Sequence, residues 1–274
     1  MVTVAAADPP VDPAELLALA RDVVARAAEL VTAARTDALG QVSTKSTPTD
    51  PVTAADRAAE RFVVDAILAA RPADGVLGEE GAERPGTSGV RWVLDPIDGT
   101  VNFLYGIPAY AVSLAAEVDG VTVAGVVRNV VTGEEWSATR GGGAYRGETR
   151  LRGSACTRLD RALVGTGFGY DADRRRQQAR VLAEVLPVVR DIRRIGSAAL
   201  DLCGAAEGRL DAYYERGLSP WDLAAGELVA AEAGLLVTGL RGRPPGEAMT
   251  VAAPPALHAP LHELLVALDA DEAG

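Results

Sequence analysis

Residues Trp92-Val93-Leu94-Asp95-Pro96-Ile97-Asp98-Gly99-Thr100 set two carboxylates three positions apart at the end of an apolar run. A strand through Leu94 delivers Asp95 to its C-terminal end. Pro96 lacks the N–H that would continue a ladder, and Gly99 permits a tight turn. Two acids held in one small volume repel, and one tends to keep its proton. A divalent cation removes that penalty. All-oxygen ligands suit Mg²⁺, which keeps several waters and a substrate phosphate. The plainer alternative is an Asp-Gly turn with solvated acids.

An Asp-x-Asp pair, as in haloacid-dehalogenase-type phosphatases, would make the first acid a nucleophile. Here two residues intervene, and shared metal coordination fits the spacing better. Other acids stand at the ends of expected elements. Glu79 and Glu80 follow Gly78 after an apolar Val76-Leu77 pair. A buried strand ending in two acids is costly unless they meet cations, although a solvated turn reads equally well. Asp222 follows Pro220-Trp221 at a helix start, where a capping role is the plain reading. Asp56 lies three residues after Thr53, the spacing of a capping box.

Gly99-Thr100, Gly196-Ser197 and Trp221-Asp222 all lie near expected helix starts, whose free amides favour anions. We expect two of them to face a phosphate and the third to deliver a metal ligand. The only histidines, His258 and His262, follow Pro254-Pro255 in the C-terminal tail, which argues against a histidine-based mechanism. Cys156 and Cys203 read as small packed residues rather than nucleophiles. Gly165-Thr166-Gly167-Phe168-Gly169 is not G-x-G-x-x-G, so a mobile substrate-side loop is expected there instead of a dinucleotide site. Arg174, Arg175, Arg176 and Arg180 read as a solvated helix face, with a phosphate-steering or partner patch as the alternative. Arg193 is expected to pair with Glu215 and hold it.

These groups must be carried by a chain of 274 residues, enough for one large domain or two lobes. With 48% hydrophobic but only 4% aromatic residues, the core must be mostly Ala, Val and Leu. Lys and Arg total 27 against 38 acids, a net charge of -11 that disfavours nucleic-acid partners. Two cysteines make no disulfide framework, and residues 1–12 lack the basic start and apolar run of a signal peptide. No uncharged apolar run approaches the roughly 18–20 residues that span a bilayer. A cytoplasmic, non-membrane protein is the expectation.

Three- and four-residue apolar spacing predicts helices over about 12–35 and 53–70, separated by a loop over 40–51. Strands are predicted at 76–77 and 91–94, then a meander at 110–118, 121–130 and 134–139 with turns at Asp119-Gly120 and Thr132-Gly133. Beyond about 155 the pattern alternates, with strands near 162–167, 192–195 and 210–214 and helices near 173–190, 197–207 and 221–233. This predicts an antiparallel first half and a mixed α/β second half. We divide the chain into an N-terminal lobe, 1–150, with most candidate metal ligands, and a C-terminal lobe, 151–274, with Asp222 and substrate contacts.

Taken together, the segments resemble the inositol monophosphatases, lithium-sensitive Mg²⁺-dependent phosphatases. The resemblance runs through Lys45-Ser-Thr-Pro-Thr-Asp50-Pro-Val-Thr-Ala-Ala-Asp56, Gly78-Glu79-Glu80 and Trp92 to Phe103. It continues in Gly196-Ser-Ala-Ala199, Asp211-Ala-Tyr-Tyr-Glu215, Trp221-Asp222-Leu-Ala-Ala-Gly226 and Glu232-Ala-Gly234, covering roughly 13–265. The stretches 165–169 and 193–197 look like the bacterial branch. The resemblance implies an αβαβα layered sandwich, a homodimer, lithium sensitivity and two or three Mg²⁺ ions. It assigns Glu79, Asp95 and the Ile97 carbonyl to a first ion, Asp95, Asp98 and Asp222 to a second, and Glu79 to a weaker third. Thr100 would orient the attacking, metal-activated water, with Asp56 behind it. Gly99 and Thr100 would offer amides to the phosphate. Ser197 and Ala198 would line the substrate, and Glu215 would accept sugar hydroxyls, with Asp98 and Asp222 beside them.

The implied activity is hydrolysis of myo-inositol 1-phosphate to myo-inositol and phosphate. Histidinol phosphate, fructose 1,6-bisphosphate and adenosine 3′,5′-bisphosphate are alternative substrates on the same scaffold. A regulatory or binding module with minor phosphatase activity is the alternative of another class.

Overall fold

The computed structural model describes residues 11–38, 42–44 and 51–272. Residues 1–10, and 45–50 of the first motif, lie outside the described residues. Helix α1 (Pro13–Ala38) is followed by a short antiparallel ribbon, β1 (Val42–Thr44) with β2 (Pro51–Thr53), and by α2 (Ala54–Ala70). The ribbon flanks part of the stretch expected as loop.

A sheet of eight strands among the described residues comes next. Its strands are β3 (Gly75–Gly78), β4 (Glu83–Arg84), β5 (Val90–Asp98), β6 (Ala111–Val118), β7 (Val121–Asn129), β8 (Glu135–Thr139), β9 (Gly143–Arg146) and β10 (Thr149–Arg150). Helix α3 (Thr100–Tyr105) interrupts it after β5. The order is β10-β9-β8-β7-β6-β5-β3-β4, antiparallel throughout except for the parallel β3–β5 pair.

The second half alternates as expected: β11 (Leu163–Thr166), α4 (Ala172–Val185), β12 (Asp191–Arg193), α5 (Ala198–Glu207), β13 (Ala212–Glu215) and α6 (Pro220–Glu232). It then continues through β14 (Leu236–Thr238), β15 (Thr250–Ala253) and α7 (Pro255–Ala267). The sheet order is β12-β11-β13-β15-β14, with β11 parallel to β12 and β13, and β15 antiparallel to its neighbours.

Side chains alternating between two buried faces stack these parts into five layers. On β5, Trp92 and Leu94 face α1 and α2, where they meet Leu16, Val23, Val24 and Val63. Val93 faces the other way, into a core shared with Leu202 of α5 and Leu228 of α6. Strand β13 repeats the device. Tyr213 joins the inner core, while Ala212 and Tyr214 pack under Val181 of α4 and Leu257 and Leu261 of α7. The αβαβα sandwich follows from side chains alternating across each strand.

Three boundaries differ from the sequence reading. Helix α4 stops at Val185 instead of 190: Leu186, still helical in backbone, caps it, and Pro187 has no N–H to continue the ladder. The tail after 234 is structured. Leu257, Leu261 and Leu265 recur every four residues and are fully buried in α7. His258 is therefore a buried helix residue bonded to Thr238 at 2.9 Å and stacked on His262. Finally, β5 runs past Asp95 to Asp98, with consequences for the site.

Candidate active site

In a regular strand, residues three apart point to opposite faces. Asp95 pairs with Ser113 of β6, but Asp98 pairs with Ala111, so three steps on β5 match two on its partner. This bulge flips the alternation, and Pro96, which could not donate to a ladder, sits inside it. Both acids consequently lie on the inner side of the sheet. The Ile97 N–H donates to Asp95 Oδ1 at 3.0 Å, closing the local turn.

Asp222 comes from the first turn of α6, more than 120 residues away in sequence. Its Oδ2 accepts the Ser219 N–H at 2.7 Å, which completes a capping box and locks the rotamer. The expected cap is thus present, and the same side chain also enters the cluster. Ligand-type oxygens of Asp95, Asp98 and Asp222 all lie within 4.8 Å of one another. Asp95 and Asp98 are buried and Asp222 is half-buried.

This arrangement is costly for anions. Burial pushes the Asp95 carboxyl well above its usual range, and Glu79, Asp98 and Asp222 push it further. Asp222 is raised for the same first reason, then by Asp98 and Glu79. Asp98 rises to about 6 through burial, held back by bonds from Ser197 and Ala199. The Ser197 hydroxyl donates to Asp98 Oδ2 at 2.6 Å and the Ala199 N–H at 2.7 Å. An oxygen-only cluster with its proton affinity raised by mutual repulsion fits a hard divalent cation.

Glu79 follows β3, with its N–H bonded to the Leu94 carbonyl at 3.2 Å, and lines the same cavity. It lies outside the three-acid group but is near enough for its charge to raise the Asp95 carboxyl. The loop that carries it is fastened by Glu60, which sequence reasoning missed. Glu60 accepts the N–H groups of Glu80 (2.8 Å) and Ala82 (3.0 Å). Its one visible signal was an acid on the apolar face of the second helix.

Thr100 opens α3. Its hydroxyl lies 3.1 Å from both Asp56 Oδ1 and the Ile97 carbonyl. Asp56 is fully buried, and its other oxygen accepts the N–H and hydroxyl of Thr53. Asp56 is thus both a helix cap and the partner of Thr100. Gly99 adopts a left-handed φ of 97°, and a Cβ there would stand 3.0 Å from the Ala109 carbonyl and 3.1 Å from that of Gly196. Glycine is needed for both reasons, because it lets the 99 and 196 turns touch.

Gly99, Thr100, Ser197, Ala198, Glu215 and Asp222 line one cavity of about 650 Å³. The three helix starts converge there, as expected. The α5 start, however, gives its Ala199 amide and Ser197 hydroxyl to Asp98, so a protein carboxylate already occupies the position expected for a phosphate.

Arg193 does not hold Glu215. It pairs with Asp191 at 2.6 Å and is half-exposed. Arg194 lines the cavity and favours the ionised form of Glu215. Burial nonetheless pushes Glu215 up to about 7. The arginine run also divides. Arg175, Arg176 and Arg180 are exposed, whereas Arg174 turns into the cavity. Cys203 is buried, and burial pushes its thiol well up, which suits packing and not nucleophilic attack.

Asp201 was not singled out from the sequence. It is buried in the first turn of α5, its Oδ1 has no hydrogen-bond partner, and burial raises its pKa well above the usual range. The folded chain holds this proton more tightly than the unfolded chain, whose value is about 3.9. Its contribution to stability is therefore complete below that value and is lost progressively as pH rises from there through the raised value of the folded chain. Asp201→Asn, isosteric with the protonated acid, should raise the melting temperature more at pH 8 than at pH 5. Melting curves of the two proteins at both pH values check this; an equal shift, or a loss at pH 8, would refute it.

Comparison with known proteins gives a consistent set. The model of the inositol monophosphatase family matches residues 12–270. An inositol-1-monophosphatase of Mycobacterium leprae is 51% identical over 266 residues, 90% of this chain and 91% of that protein. The crystal structure of extragenic suppressor protein suhB from Bartonella henselae superposes with a TM-score of 0.87 at 36% identity, covering 92% and 98% of the two chains. Mycobacterium tuberculosis SuhB superposes with a TM-score of 0.82 at 44% identity, covering 95% and 99%.

Proposed function

Because the chain belongs to the inositol monophosphatase family, we propose that it hydrolyses myo-inositol 1-phosphate to myo-inositol and phosphate with Mg²⁺ as cofactor. The observation that carries this reading is the cluster of Asp95, Asp98 and Asp222, whose mutual repulsion at the cavity floor asks for a cation. Glu79, Asp95 and the Ile97 carbonyl would hold one ion, Asp95, Asp98 and Asp222 a second, and Glu79 a weaker third. Bound Mg²⁺ supplies Lewis acidity, which neutralises phosphate charge and makes water a better nucleophile at neutral pH.

The remaining work falls to the chain. Thr100 has one hydroxyl proton, and both its acceptors, Asp56 and the Ile97 carbonyl, belong to the protein. Its oxygen therefore keeps lone pairs that accept a hydrogen from the attacking water and aim it. Asp56, anchored by Thr53, keeps the Thr100 proton turned away from that water. Glu79 lies on the same cavity wall and is the nearby carboxylate that can take up a proton. Amides of Gly99 and Thr100 would bind phosphate oxygens. Glu215 would accept polyol hydroxyls, beside Ala198 and Ser197.

We also infer a homodimer, lithium inhibition and a cytoplasmic location, and keep the division near residue 150 as two lobes meeting at the site. No helix among the described residues is long and apolar enough to cross a membrane.

Phosphate release from myo-inositol 1-phosphate, with EDTA and after Mg²⁺ is restored, tests the reading. Hydrolysis should vanish with chelation, return with Mg²⁺, and exceed that of fructose 1,6-bisphosphate, histidinol phosphate and adenosine 3′,5′-bisphosphate in kcat/KM. A higher value for one of those esters would reassign the substrate. No release from any of them would favour the binding-module alternative.

A further inference from the structure

Strands β11 and β13 are parallel neighbours, with Thr166 beside Tyr214, so the loops leaving their C-terminal ends run side by side. These loops form part of the wall of the cavity that the acidic cluster also lines, through Gly167, Phe168, Gly169, Glu215 and Gly217. Helix α4 packs outside that wall. One of its side chains, Gln178, is buried and reaches both loops. Gln178 Oε1 accepts the Gly169 N–H at 3.0 Å. Its Nε2 donates to the Arg216 carbonyl at 3.2 Å and stands 3.5 Å from the Gly167 carbonyl. A carboxamide alone among neutral side chains combines an acceptor with two donors, so it can join two backbone segments that make no ladder together.

The wall so joined has no spare room. A Cβ on Gly167 would fall 1.9 Å from Glu215 Oε2 and 2.2 Å from its Cδ. On its other side, Glu215 Oε2 accepts the Tyr213 hydroxyl at 2.5 Å. The Glu215 carboxylate is therefore held between a tyrosine hydroxyl and the bare backbone of residue 167, and Gln178 sets where that backbone lies.

We infer that Gln178 is a positioning residue for substrate selection: by clamping the 167–169 loop to residue 216, it fixes the Glu215 carboxylate where a polyol hydroxyl must meet it. This rests on the reading that the substrate is a polyol phosphate. The loop is accordingly a tethered wall, in contrast to the mobile loop expected from its glycines.

The test compares two esters and one physical signal. In Gln178→Leu, kcat/KM for myo-inositol 1-phosphate should fall about tenfold, the scale of one or two lost hydrogen bonds, and mainly through KM. The value for 4-nitrophenyl phosphate, which has no hydroxyl for Glu215, should stay within about twofold. Gly167→Ala, which leaves the clamp intact but displaces the carboxylate, should give the same split. The Gly169 amide should exchange with solvent slowly in the wild type and about tenfold faster in Gln178→Leu. Equal losses on both esters, or an unchanged ratio in both variants, would overturn the inference. So would an unprotected Gly169 amide in the wild type. If the wild-type protein hydrolyses neither ester, the functional reading fails, and amide exchange alone then decides whether the clamp exists.

Discussion

Asp95→Asn should reduce Mg²⁺-dependent phosphate release by roughly 10²–10³-fold or more, the scale on which loss of a group stabilising developing charge acts. The same substitution should raise the melting temperature of the metal-free protein. The two effects share one cause. Asp95 is buried beside Glu79, Asp98 and Asp222, so its ionised form is disfavoured in the folded chain. Its folded pKa lies well above the unfolded value of about 3.9, so the metal-free fold loses stability as pH rises above that point. Asparagine keeps an acceptor for the Ile97 N–H and removes the charge. The thermal gain should accordingly be larger at pH 8 than at pH 5. Mg²⁺ should raise the wild-type melting temperature, because it binds the folded state alone, and should raise that of the variant much less. Phosphate assays and melting curves with and without Mg²⁺ measure all of this. A variant less stable than wild type in EDTA, yet equally stabilised by Mg²⁺, would show that Asp95 is neither strained nor a ligand.

Trp92→Ala should cost about 3–5 kcal/mol of folding stability, the usual range for removing a large buried aromatic. Trp92 is fully buried between β5 and the α1–α2 layer, three residues before Asp95. Its indole N–H also donates to Asp74 Oδ2 at 2.8 Å, and Asp74 is itself buried and bound to Arg71 and Ser88. Truncation therefore leaves a cavity and weakens a buried polar network. Domains commonly have only 5–15 kcal/mol in hand, so the loss is a large part of the total. Trp92→Phe keeps most of the packing, loses the hydrogen bond, and should cost about 1–2 kcal/mol. Urea unfolding followed by circular dichroism gives both values. A change below about 1 kcal/mol for the alanine variant would mean that the site relaxes around the missing ring.

Some of the site was legible because its signals are local. Apolar spacing located the first two helices and the meander, and acids beside glycine or proline at element ends marked Glu79, Asp95, Asp98 and Asp222. Other parts left no local mark. Glu60 and Gln178 are polar residues on otherwise ordinary helices, and what distinguishes them is the loop each one fastens. Arg193 and Arg194 are identical in type and adjacent, so only the folded chain tells which one pairs with Asp191 and which one lines the cavity beside Glu215. The buried tail helix carries its own local signal in Leu257, Leu261 and Leu265, spaced four apart.

The sequence by itself determined the family, marked the acids available to a cation, and set the order of the main elements through α6, because residue type and spacing along the chain encode these directly. Whether two acids three residues apart face each other, and whether Asp222 joins them, was decided only by tertiary structure. An unbulged β5 would point Asp95 and Asp98 to opposite faces, and Asp222 reaches them because α6 packs on the inner face of the same sheet. Those are properties of strand register and layer packing, which depend on partners distant in sequence.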